Sequence, residues 1–75
     1  PTPILVTQGT KDDVVLPEWT GQLLSRALKA GDLIKVSWYD GATHRSVIEA
    51  AKPEILSWID DRLAGKPAPT DTLPQ

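Results

Sequence analysis

Two residues in this chain have the types and the placement for acid–base chemistry, Asp12 and His44. Asp12 follows the apolar run Ile4-Leu5-Val6-Thr7-Gln8 through the turn Gly9-Thr10-Lys11. His44, the only histidine, follows a second run, Leu33 to Tyr39, through Asp40-Gly41-Ala42-Thr43. A carboxylate can hold an imidazole in one tautomer and stabilise its cation, and the imidazole can then take a proton from a hydroxyl and return it to a leaving group. That is the Asp–His half of a Ser-His-Asp triad. The nucleophile does not accompany it. Of the four serines, Ser25, Ser37, Ser46 and Ser57, none stands in the Gly-x-Ser-x-Gly turn that presents a hydrolase serine, and the chain has no cysteine. The expectation is therefore the C-terminal part of a larger enzyme, with its nucleophile upstream of Pro1 and no activity of its own.

Each candidate also has a plainer reading. His44 would be an exposed loop histidine, and Asp12 a turn aspartate bonded to its own backbone. Asp13 competes directly with Asp12 for the acid role, and spacing alone leaves the two open. Asp40 is close to His44 in sequence but suits the start of a turn with Gly41. Asp12, Asp13, Asp40 and His44 together would make an oxygen-rich metal site, yet no metal-ligand spacing such as His-Glu-x-x-His supports it. Neither a metal nor a cofactor is expected.

The elements that must position this pair follow from periodicity. Ile4 to Gln8 reads as a parallel strand covered on both faces, with Gly9 permitting a sharp exit. Val14, Val15 and Leu16 should pack a loop back onto the sheet. Pro17 suits a first helical position, and Trp19, Leu23, Leu24, Ala27 and Leu28 recur at helical spacing, predicting one buried face. Gly31 ends that helix. From Leu33 to Tyr39 the pattern alternates, with Ile34, Val36 and Trp38 on one side and Lys35 and Ser37 on a more solvated one. A short helix over 46–51 is predicted with Ser46 as its N-cap. Pro53 should break it and open a new helix, whose apolar face is Ile55, Leu56, Trp58, Ile59 and Leu63 and which Gly65 stops. Trp19, Trp38 and Trp58 all fall on predicted buried faces.

The fold class is thus α/β, a β-α-β-α unit of two parallel strands with a right-handed crossover helix and a C-terminal helix. Neighbouring strands lie about 5 Å apart, so both loops leave the same sheet edge, where open α/β sheets build their sites. Residues 1–65 would form this segment and residues 66–75 a disordered or surface tail. Two strands and two helices do not enclose a core, and the bare sheet edge calls for cover from the rest of a domain.

Composition narrows the partners. The chain has 75 residues and a formal net charge of -2 with both signs mixed along it, so no basic stripe points to nucleic acid. No apolar run approaches the ~20 residues of a membrane span, and Pro1-Thr2-Pro3 does not open a signal peptide. A first residue of proline rather than methionine fits a segment of a longer polypeptide, as it fits processing.

Taken together, these residues resemble the C-terminal end of α/β-hydrolases. The run from Pro3 to Pro17 resembles that fold's acid-bearing strand and turn, written Gly-x-x-Asp-x-x-Val, and in that register Asp12 is the acid. Tyr39-Asp40-Gly41-Ala42-Thr43-His44 resembles its histidine loop. The ending from Trp58-Ile59-Asp60-Asp61-Arg62 to Lys66-Pro67-Ala68-Pro69 is similar to the tail of the secretory lipases, the lipase A-like triacylglycerol lipases. The resemblance spans nearly the whole chain. It implies a secreted lipase or esterase acting on an ester or lipid substrate, with Asp12 and His44 as catalytic residues. The serine, oxyanion hole and lid would all lie upstream, in the remainder of the hydrolase domain. Peptidases, dienelactone hydrolases and acyltransferases end in similar strands, and a non-catalytic α/β binding module is the reading from a different class.

Overall fold

The computed structural model describes residues 2–72. The order is β1 (Ile4–Gly9), α1 (Pro17–Lys29), β2 (Ile34–Tyr39) and α2 (Ser46–Leu63). β1 and β2 pair in parallel, Ile4 opposite Ile34 through Gly9 opposite Tyr39. The β-α-β-α unit of two parallel strands is as the sequence predicts.

The helices lie on opposite faces of the sheet. Register partners in a parallel pair point the same way and neighbours along a strand point oppositely. Gln8, on the face shared with Val36 and Trp38, bonds Thr20 of α1. Ser37 and Tyr39, on the other face, both donate from their hydroxyls to the Glu54 carboxylate of α2. Accepting from the phenol, Glu54 pushes the Tyr39 pKa above its ordinary value, with burial and the Glu54 charge acting in the same direction. The supposedly solvated side of β2 is therefore half-covered.

Local chemistry accounts for the helix ends. α1 begins with Pro17, carries Glu18 in its first turn and Arg26 and Lys29 in its last, matching the helix dipole. Both helices close in Schellman turns around a left-handed glycine, Gly31 at φ 85° and Gly65 at φ 76°. At the first, Gly31 N–H donates to Leu28 and Asp32 N–H to Ala27. At the second, Gly65 N–H donates to Arg62 and Lys66 N–H to Asp61.

Several sequence expectations need correction. α2 runs unbroken through Pro53. Pro53 is exposed, so the Glu49 carbonyl it leaves unbonded faces water, while Val47, Ala51, Ile55 and Trp58 keep one stripe on the sheet across the break. Ser46 is not the cap. Thr43 Oγ1 accepts the Ser46 N–H at 3.2 Å and Ser46 Oγ accepts the Thr43 N–H at 2.8 Å, a reciprocal pair that opens the first turn at Thr43. Trp19, Leu23 and Trp38 are exposed rather than buried, because α1 overhangs a sheet of only two strands. Thr20 takes the buried position on α1 instead. Val14 and Val15 are exposed too, and polar bonds rather than apolar packing fix their loop. Gly9 has an ordinary backbone; what it provides is room, since a Cβ there would strike the Ala42 carbonyl.

The buried apolar set is small, comprising Ile34, Val36, Ala42, Val47 and Ala51. The chain beyond α2 returns along the outer edge of β2. Asp71 N–H donates to the Ile34 carbonyl at 2.7 Å, Val36 N–H donates to Asp71 Oδ2 at 2.9 Å, and Ile34 N–H donates to Thr70 Oγ1 at 3.2 Å. Lys35 pairs with Asp71 at 3.0 Å. Residues 66–72 thus lie on the surface; 73–75, the end of the predicted tail, fall outside the described residues, as does Pro1. Among the described residues, no helix is long and apolar enough to cross a membrane.

Candidate functional site

The exits of β1 and β2 are stitched together before either site residue is reached. Thr10 N–H donates to the Tyr39 carbonyl at 3.1 Å and Lys11 N–H to the Ala42 carbonyl at 2.9 Å. Across the same gap, Gly41 N–H donates to Thr10 Oγ1, which in turn donates to Asp40 Oδ1. Asp40 is thereby committed to the turn. The close approach of Gly9 to Ala42 brings the two loops into register, and the Thr43–Ser46 pair sets His44 at the opening of α2.

Asp12 is 6 % exposed and uses both carboxylate oxygens. Oδ1 accepts the Val14 and Val15 N–H groups, each at 2.8 Å. Oδ2 lies 2.9 Å from His44 Nδ1. The two readings of Asp12 are therefore not rivals: one oxygen closes its own turn and the other holds the imidazole. Asp13 is exposed, and it is Asp12 that reaches His44.

Burial alone would raise the Asp12 pKa. The hydrogen bond from His44, the two backbone N–H groups and the His44 charge outweigh it and hold the carboxyl below its ordinary value. An ionised Asp12 accepts a proton from Nδ1, so the neutral imidazole carries its free lone pair on Nε2. Nε2 makes no hydrogen bond among the described residues, and the His44 side chain is 50 % exposed. An imidazole held in this way has the geometry a general base requires, with Nε2 the available nitrogen.

A groove of about 380 Å³ borders the pair, lined by Val6, Thr7, Gln8, Asp12, Thr20, Leu23, His44 and Ile48 among others. Val6, Thr7 and Gln8 are consecutive, so their side chains alternate between faces; a groove that touches all three runs along the open edge of β1. Leu23 of α1 and Ile48 of α2 flank it, both exposed.

The serines are elsewhere. Ser37 bonds Glu54, Ser46 bonds Thr43, Ser25 lines a separate groove between α1 and β2, and Ser57 is exposed on α2. The four-residue metal set is not assembled either; no group of three or more His, Cys, Asp or Glu residues is placed to hold an ion among the described residues.

Sequence reasoning missed Gln8 and Thr20, both buried beside the site. A signal was present in each case. Gln8 is an amide at the end of a strand that opens with the apolar run Ile4-Leu5-Val6, and such a group is buried only with partners. Thr20 lies on the same helical stripe as Leu24 and Ala27.

Comparison of this chain with protein-family models, with curated proteins and with solved structures finds no match.

Proposed function

We propose that this chain is the C-terminal part of a serine carboxylic-ester hydrolase, of the kind the secretory lipases represent, and that it supplies the histidine and the acid of a Ser-His-Asp triad. One observation carries the reading: the 2.9 Å contact of Asp12 Oδ2 with His44 Nδ1, which leaves Nε2 free beside an open groove. The resemblance of the acid turn, the histidine loop and the tail supports the ester-hydrolase class.

In this mechanism a serine from outside the chain approaches Nε2. His44 removes the hydroxyl proton as the oxygen attacks the ester carbonyl, and Asp12 stabilises the imidazolium that forms. Collapse of the tetrahedral intermediate releases the alcohol with the proton from His44. A water deprotonated by the same nitrogen then attacks the acyl-enzyme and releases the acid. The apolar flanks Leu23 and Ile48 and the bare edge of β1 are where the remainder of the sheet would sit, bringing the nucleophile with it. Secretion of the full protein follows from the same resemblance.

The test is ester hydrolysis by the full polypeptide. Asp12→Asn should lower kcat by roughly three to four orders of magnitude, because an amide cannot enforce the same tautomer. Asp13→Asn should leave it near wild type. Near-normal turnover by Asp12→Asn, or the reverse ranking of the two variants, overturns the assignment.

A further inference from the structure

We infer that Gln8 is a positioning residue for the Asp12–His44 pair, acting through the backbone of Val15 and anchored by Thr20. The inference rests on the hydrolase reading in so far as catalysis is one of its readouts.

Gln8 is 3 % exposed, and its amide uses every hydrogen it has. Nε2 donates to the Gly9 carbonyl at 3.0 Å and to the Val15 carbonyl at 3.0 Å. Two carbonyl oxygens around one end of the amide require that end to be the NH2 group, which makes the other end the acceptor. Accordingly Oε1 takes the Thr20 hydroxyl hydrogen at 2.6 Å. The orientation of the amide is fixed by its surroundings, because inversion would turn its oxygen to two carbonyls and lose both of those bonds.

The residue that Gln8 holds is the one that holds Asp12. Val15 accepts from Gln8 through its carbonyl and donates to Asp12 Oδ1 through its own N–H at 2.8 Å. The path is continuous: Thr20 hydroxyl to Gln8 amide, Gln8 to Val15, Val15 to Asp12, Asp12 to His44. It starts on α1, crosses the end of β1 and ends on the imidazole. Apolar packing of Val14 and Val15 offers little substitute, because both are exposed. Without Gln8, the backbone bonds that fasten the loop bearing Asp12 to the sheet end come from Thr10, Lys11 and Asp12, all on the side away from Val15.

The inference is tested with Gln8→Met, which keeps the volume and removes the polar bonds, and with Thr20→Val, a milder change at the anchor. Thr20→Ser, which keeps the hydroxyl, is the conservative control. Each is made in the full polypeptide, with circular dichroism to establish folding. The Asp12 carboxyl is followed by 13C NMR across acid pH, and ester hydrolysis is followed in parallel. With the loop loosened, the Asp12 titration midpoint should move up toward the ordinary carboxylate value in Gln8→Met and Thr20→Val. In the same variants kcat should fall about 10- to 100-fold, as for a misplaced catalytic group, with KM little changed. Thr20→Ser should behave as wild type in both. Folded Gln8→Met and Thr20→Val proteins with an unmoved Asp12 midpoint overturn the inference, and so does an unaltered kcat. If the wild-type protein hydrolyses no ester, the hydrolase reading fails, and the Asp12 titration still decides whether Gln8 positions the pair.

Discussion

Asp12 does two jobs with one carboxylate. Its turn bonds to Val14 and Val15 and its bond to His44 all favour the ionised form, against the burial that disfavours it, and the folded pKa lies below the ordinary value of 3.8. A group whose pKa is depressed by folding stabilises the native state above its unfolded pKa, and that contribution is lost as pH falls through the folded value. The stability gap between wild type and Asp12→Asn should therefore be present above about pH 4 and close as pH falls through the folded value. Denaturant unfolding of the full polypeptide at stepped pH measures this; a gap that persists undiminished below the folded pKa contradicts it. The site pair was legible in the sequence because both residues follow strand-like runs joined by one crossover. The choice of Asp12 over Asp13 came from the resemblance, since adjacent residues in a turn differ only in direction, which depends on the Asx bonds to Val14 and Val15. Gln8 was not legible as a site residue, because its partners come from α1 and from the loop beyond Asp12, 12 and 7 residues away.

At the scale of elements, the strands, the crossover helix and the glycine stops were readable from apolar spacing and from the residues at helix ends. What failed did so for identifiable reasons. Pro53 reads as a break by local rules, but the stripe from Val47 to Trp58 packs across it, and an exposed face tolerates one lost bond. Ser46 reads as a cap by residue type, yet Thr43 is equally suited and lies three residues earlier, where the chain leaves the loop. Gly9 suggested a turn, whereas the structure needs the absence of a side chain where β1 meets the Ala42 carbonyl. Gly9→Ala should then push the two loops apart, costing roughly 1–3 kcal/mol as an overpacked contact. It should also part Asp12 from His44. A shifted denaturation midpoint together with lost hydrolysis is the expected result; an alanine accommodated with both unchanged would show that the close approach does not set the site.

At the scale of the whole molecule, five buried apolar residues among those described face a longer set of exposed ones, among them Trp19, Leu23, Ile48, Leu56 and Leu63. The outer edge of β2 is dressed by Thr70 and Asp71, while the edge of β1 is bare among the described residues. Only a fraction of the apolar surface is removed from water, so the 75-residue chain alone should melt without a sharp transition or self-associate as its concentration rises. Circular dichroism with light scattering tests this, and a cooperative melt by a monomer would argue for a self-sufficient binding module. The two-strand sheet was expected from the sequence but the exposure of Trp19 and Leu23 was not, because burial depends on neighbours that local pattern does not contain. In the proposed mechanism His44, held by Asp12, activates a serine supplied from outside these residues. Fluorophosphonate labelling of the full polypeptide, with the labelled residue mapped by mass spectrometry, tests it most directly. One labelled serine upstream of Pro1 is expected in the wild type, with loss of that label in a folded His44→Ala variant. Labelling of His44→Ala at the wild-type rate, or no labelled serine in an active wild type, would contradict it.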